Sequence, residues 1–237
     1  ALFKMISLPR LLYVLQNTPY MVPDAYFQAL NSEIRLLLWD GGPARIAFSK
    51  LTKGWYEGGI ALPDVQKYYW AAQLTTINNW AFLPPSSPAY RMDVLNMQPG
   101  GYKRALYGAT PQKLINNPTA TVIRIWYKVL GAMGWKGKLT QATPLWDSPL
   151  LGHLGRYKGF DKWDMIGISH IRDVWRDRDA LSWDTLQREF QLAPTERYRY
   201  LQVQHALRAH FPKGTEVPDN SPLELRLLDE YMSRRAT

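Results

Sequence analysis

The stretch that decides the fold runs from Glu33 to Trp80, EIRLLLWDGGPARIAFSKLTKGWYEGGIALPDVQKYYWAAQLTTINNW. It predicts a helix, a glycine break, a short basic connector, a second glycine break and another helix. Asp40-Gly41-Gly42-Pro43 ends the first helix, because glycine takes the left-handed cap conformation and proline cannot continue the helical ladder. Gly58-Gly59 lets the backbone turn where a side chain would clash. Leu62-Pro63-Asp64 then opens the next helix: Asp64 is placed to cap its first amides, and Val65, Tyr69, Ala72 and Ile77 follow at roughly helical spacing.

Upstream, Lys4 to Gln16 reads as a short helix and Asp24 to Trp39 as a longer one. The apolar stripe of the second, Phe27, Leu30, Ile34 and Leu37/Leu38, is expected to be core. Ile46 and Leu51 are expected to face inward as well. Downstream, Leu83-Pro84-Pro85-Ser86-Ser87-Pro88 reads as a linker, since successive prolines forbid regular hydrogen bonding. Asn117-Pro118 starts a helix with Val122, Trp126, Val129, Leu130 and Met133 on its apolar face. Beyond Thr140 the pattern is a helical bundle. One helix is expected from about Trp163 to Arg176, a second is capped by Ser182 and carries Leu186 and Phe190, and a third covers Thr195 to His210. A last one opens at the capping box Ser221-Pro222-Leu223-Glu224.

Composition narrows the chemistry. The 237 residues suffice for one large or two modest cores, and no apolar run approaches the roughly 18–20 residues a membrane helix needs. No signal peptide is legible, because Lys4, Pro9 and Arg10 interrupt the first apolar residues. With no cysteine, disulfides, thiolate zinc sites and cysteine nucleophiles are excluded, and a reducing compartment is acceptable. The net charge of +9 points to an anionic partner. It is concentrated: between Ala81 and Thr140, Arg91, Lys103, Arg104, Lys113, Arg124, Lys128, Lys136 and Lys138 face the single acid Asp93. Tyr102, Tyr107, Trp126, Tyr127 and Trp135 interleave with them.

Several short motifs follow one another in an order that resembles one family. Leu8-Pro9-Arg10-Leu11-Leu12-Tyr13 and Pro19-Tyr20-x-Val22-Pro23 precede Ala44-Arg45-Ile46, Ser49-Lys50-Leu51, Gly58-Gly59-Ile60-Ala61-Leu62-Pro63-Asp64 and Tyr68-Tyr69-x-Ala71-Ala72-Gln73. Together they resemble the thumb, just after the palm, of LINE-type (non-LTR) retrotransposon reverse transcriptases. Looser landmarks continue the likeness toward the connector: Pro144-Leu145-Trp146-x-Ser148-Pro149, Trp163-x-x-x-Gly167-Ile168, Leu186-x-x-x-Phe190-x-Leu192 and Tyr200-Leu201-Gln202-Val203. The resemblance implies a mainly α fold: a thumb-like helical region over 1–80, a basic, loop-rich connector with one helix over 81–146, and a C-terminal helical region over 147–237. It also implies a non-catalytic fragment that contacts template RNA and RNA/DNA duplex, and the palm region of the parent polypeptide. Its expected location is intracellular, in nucleus and cytoplasm, rather than secreted or in a membrane.

The chemistry of the parent would be RNA-directed DNA polymerisation, which needs carboxylates holding two magnesium ions. Its paired-aspartate turn is absent here, so no catalytic residue, metal or cofactor is expected in this chain. Asp161/Asp164 read as acids at a helix start, and Asp177-Arg178-Asp179 as a self-neutralising face. His153, His170, His205 and His210 read as structural or surface residues; His205 and His210 lack the i, i+4 spacing of paired zinc ligands. If the resemblance holds, an Asp-Asp turn is expected upstream of Ala1.

Two groups are left as candidate nucleic-acid contacts. Arg45, Lys50 and Lys53 lie between the glycine breaks and are read as phosphate contacts, or simply as an exposed basic loop. Lys103, Arg104, Lys113, Lys136 and Lys138 are read as phosphate contacts with Tyr102 and Trp135 stacking on unpaired bases. Trp126, on a helix face, is expected in the core. Two alternatives to polynucleotide binding stay open: a helical protein-interaction module, or a decayed element copy with no binding role.

Overall fold

A computed structural model describes residues 3–18, 20–84, 86–95, 105–107, 118–146, 148–152, 154 and 159–218. These residues are mainly helical, with one antiparallel pair of two-residue strands. The chain divides into two compact units, Ala1–Ile77 with Leu114–Val129, and Asn78–Lys113 with Leu130–Thr237.

In the first unit a π turn over Phe3–Ser7 leads into α1, Leu8–Gln16, which has Pro9 in its first turn where no amide donor is needed. It buries Leu8 and Leu15. Its final carbonyls, on Leu15 and Gln16, accept from the buried Gln73 amide at 3.0 and 3.2 Å. Helix ends leave such carbonyls without partners, and burial would make them costly.

Helix α2, Asp24–Leu38, buries Phe27 and Ile34 as the stripe predicts. The expectation fails in its last turn. Leu36, Leu37 and Leu38 are exposed, Leu37 to 78%. Three consecutive leucines point to three sides of a helix. The chain also turns away immediately, through left-handed Asp40 and Gly41, whose amide donates to the Leu36 carbonyl at 2.9 Å.

After the short α3, Phe48–Leu51, helix α4 spans Val65–Phe82. Asp64 caps it as expected, its carboxylate accepting the Lys67 amide at 3.2 Å. Val65, Tyr69, Gln73 and Ile77, each four residues after the last, are all buried. Tyr69 packs against Phe27 with ring centroids 5.5 Å apart, and its hydroxyl accepts the Val22 amide at 3.3 Å. Burial pushes the Tyr69 phenol up, the Val22 hydrogen bond offsetting only part of the effect. Helix α6, Pro118–Ala132, adds Ile125 and Val129 to this core and sends Lys128 to an ion pair with Asp24.

The second unit takes in the end of α4 from Asn78 and then α5, Pro88–Leu95, so the last proline of the expected linker opens a helix. The indole of buried Trp80 donates to Asp93 at 2.8 Å. The larger core gathers Leu145, Trp163, Ile168, Ile171, Trp175, Leu186 and Leu207, among others. Trp146 stacks on Phe160 at 4.6 Å, and Trp163 meets both edge-on.

The single helix expected over Trp163 to Arg176 is instead broken in three. Helix α7 covers Asp161–Met165 and α8 covers Ile171–Val174, with Gly167 left-handed between them. Strands β1, Trp175–Arg176, and β2, Asp179–Ala180, then form a hairpin. The cause is pairing with an earlier segment. The Leu145 amide donates to the Ser169 carbonyl at 2.9 Å, and the Ile171 amide to the Thr143 carbonyl at 3.0 Å. The Asp173 carboxylate accepts both the Ser169 and His170 amides, at 2.9 and 2.8 Å, fixing a new helix start.

Helices α9, Trp183–Phe190, and α10, Arg197–His210, match their expected positions, and the Ser182 side chain accepts the Thr185 amide at 3.2 Å. The last expected helix, from Ser221, lies outside the described residues. Just before α10, Glu196 accepts from the Trp163 indole at 2.8 Å and from Arg199 at 2.6 Å. Partial burial raises this carboxyl, but the Arg199 and Trp163 hydrogen bonds, with the charges of Arg199 and Lys162, outweigh it and hold the group below its usual range.

Two stability effects are expected. Gln73→Met strands the α1 carbonyls and lowers the urea unfolding free energy by about 1–3 kcal/mol. For Glu196, the unfolded chain takes up the proton first on acidification. Its contribution is full above the unfolded value of about 4.3 and is lost as pH falls through the lower folded value. Glu196→Gln is therefore less stable than the parent at neutral pH, and the gap in unfolding midpoint closes below about pH 4.

Candidate nucleic-acid interface

Between α2 and α4 the connector folds back on itself. The Leu51 carbonyl accepts the Ile60 and Leu62 amides at 3.3 and 2.9 Å, and the Lys53 carbonyl accepts Ala61 at 2.8 Å. The Gly54 carbonyl accepts Gly59 at 3.0 Å, closing a ring around the single 3-10 turn Trp55–Glu57. Glycine is required twice. Gly58 is left-handed at φ +77°, and a β-carbon on Gly59 would lie 2.6 Å from the Lys50 carbonyl oxygen and closer still to that of Lys53.

This ring carries most of the first candidate group. Lys50 and Lys53 are one turn apart, the Lys53 amide donating to the Lys50 carbonyl at 3.2 Å. Arg45 precedes α3. All three are exposed, and none forms an ion pair among the described residues. Leu51 is buried, as expected. Ile46 is not: it is 45% exposed, because it lies in the bend ahead of α3 where no helical face turns it inward.

The structure adds two residues that sequence reasoning passed over. Trp55 is 73% exposed and Tyr56 fully so. Neither side chain makes a ring contact or hydrogen bond among the described residues. Their signal was present as adjacent aromatics inside a glycine-bounded turn, a place with no apolar periodicity to bury them.

The second candidate group is seen in part. Tyr102, Lys103, Arg104 and Lys113 lie outside the described residues. Lys136 is exposed. Trp135 follows α6, its amide donating to the Leu130 carbonyl at 2.8 Å, and its ring is half-buried with the Lys138 ammonium 5.4 Å from its centre. Trp135 and Lys138 thus form a cation–π contact, with the ammonium over one face of the ring. Trp126 is buried, as expected.

Asp164 and Asp179 have structural partners. Asp161 and Asp164 stand in the first turn of α7, and the Asp164 carboxylate accepts the Ser169 hydroxyl at 2.6 Å. Asp177 and Arg178, both left-handed, form the hairpin turn. Asp179 lies 3.4 Å from Arg208 and 3.8 Å from Lys213. Slight desolvation raises its carboxyl, and the Ala180 amide with these two cations brings it below its ordinary value. His170 is buried, while His205 and His210 are exposed; His153 lies outside the described residues. Among the described residues no group of three or more His, Cys, Asp or Glu is placed to hold a metal ion. No described helix is long and apolar enough to cross a membrane. A comparison with protein-family models finds no match.

Gly59→Ala is expected to open the ring, since the clash is with backbone rather than with a flexible side chain. Amide exchange at Ile60, Ala61 and Leu62 should accelerate by an order of magnitude or more, while exchange within α9 and α10 stays unchanged.

Proposed function

We propose that this chain is the thumb and downstream connector of a LINE-type reverse transcriptase, holding template RNA and RNA/DNA duplex by their phosphates. On this reading it has no catalytic residue of its own, and the magnesium-dependent polymerase centre belongs to the palm of a longer parent. The order of the short motifs supports the kinship. The observation that supports the binding role is the ring between α2 and α4, where Arg45, Lys50 and Lys53 are exposed and free of acidic partners among the described residues. Cations held on a closed backbone neutralise phosphates without the ordering cost of a mobile loop.

A second reading is a helical protein-interaction module. The observation favouring it is the exposed leucine run Leu36–Leu38 at the end of α2. Three large apolar side chains left in water around one helix end forgo burial that a protein partner would supply.

A salt titration separates the two. Under the first, RNA affinity falls steeply with salt, and the double variant Lys50→Glu/Lys53→Glu flattens the log–log slope by roughly 0.7 for each phosphate it leaves unneutralised. Affinity that is weak and indifferent to salt, with Leu37→Asp abolishing capture of a protein partner, replaces the first reading with the second.

A further inference from the structure

We propose that Trp55 and Tyr56 form a stacking platform for unpaired bases, so that the ring binds single-stranded RNA rather than duplex alone. The inference rests on the polynucleotide-binding reading and deepens it by naming the form of nucleic acid.

The exposure of the two rings is the starting point. Leaving a tryptophan and a tyrosine in water forgoes the burial that such side chains ordinarily gain. They occupy successive positions of a 3-10 turn, which has about three residues per turn, so their side chains diverge and cannot cover each other. Neither meets another aromatic ring or a cation among the described residues, which leaves their faces open. Trp135 offers the contrast, with a half-buried ring and the Lys138 ammonium over one face.

Their setting selects the partner. Lys53 lies two residues before Trp55 and Lys50 one helical turn earlier, so phosphate-seeking charge and base-seeking rings share one short piece of chain. The acid nearest in sequence, Glu57, is folded back, its carboxylate accepting the Gly54 amide at 3.3 Å. A strand with free bases presents a negative backbone and unpaired aromatic faces side by side. Duplex hides those faces in its own stack, and an acidic or apolar peptide lacks one feature or the other. The backbone beneath is also fixed. Gly59 is seated against the Lys50 and Lys53 carbonyls, and the Leu51, Lys53 and Gly54 carbonyls hold the turn by main-chain hydrogen bonds.

The test is fluorescence anisotropy with the full chain and labelled oligouridylate of about 12 nucleotides, against a duplex of equal length. Trp55→Leu and Tyr56→Leu should each weaken single-strand binding roughly ten-fold and leave its salt slope and the duplex affinity unchanged. Trp55→Phe should restore most of the affinity, because a flat ring remains. Both residues are exposed, so these variants fold. If the leucine variants bind the single strand as the parent does, with the salt slope intact, stacking is overturned and the phosphate-binding reading stands. If the parent itself shows no salt-dependent RNA binding, both fall together. Loss of binding to phosphatidylserine vesicles in the leucine variants, with RNA affinity unaltered, assigns the rings to a membrane surface and overturns the proposal.

Discussion

The constraint on which the candidate interface depends is the close approach of one glycine to two carbonyl groups. Gly59 lies so near the Lys50 and Lys53 carbonyl oxygens that a single added carbon collides with main chain. That closeness allows the Leu51, Lys53 and Gly54 carbonyls to capture amides from across the turn. Apart from Leu51 and Glu57, whose carboxylate accepts the Gly54 amide, backbone groups satisfied by backbone leave the ring's side chains little structural duty. Lys50, Lys53, Trp55 and Tyr56 are thereby free to face water, while Leu51 anchors the ring to the interior. A connector held by its side chains would have buried the residues that this one displays.

Much of the helical framework was legible because its signals are local. Pro23-Asp24 at a helix start, Asp40-Gly41 at an end, and Asp64 and Ser182 as caps all act within a few residues of where they stand. The break-up of Trp163 to Arg176 was not legible, because its cause lies more than twenty residues earlier in the chain. Nothing in Trp163-Asp164-Met165-Ile166 announces that Ser169 and Ile171 will pair with Leu145 and Thr143. The hairpin that follows is also concealed. Two-residue turns of this kind favour glycine or asparagine at left-handed positions, and here Asp177 and Arg178 fill them. Tertiary pairing overrode periodicity in both places.

The candidate interface shows a similar division. Arg45, Lys50 and Lys53 could be picked out by charge between two glycine breaks. Trp55 and Tyr56 were passed over because aromatic residues are ordinarily core material, although the glycine-bounded turn that holds them has no apolar periodicity to bury them, and both are exposed. Trp135 differs from them: it is half-buried, and Lys138 lies over one face of its ring. Sequence places cation and ring near each other without saying whether they face outward or inward.

The ring also has a temporal meaning. All its hydrogen bonds join residues within about a dozen positions, and loops of roughly that length close in about 10–100 ns. The core of the first unit is different, since Ile125 must reach Tyr69 and Phe27 from far along the chain. During synthesis every residue of the ring emerges from the ribosome before residues 114–129, which the hydrophobic centre of its unit also needs. The surface turn is thus built from near neighbours in sequence, and the interior of its unit from distant ones.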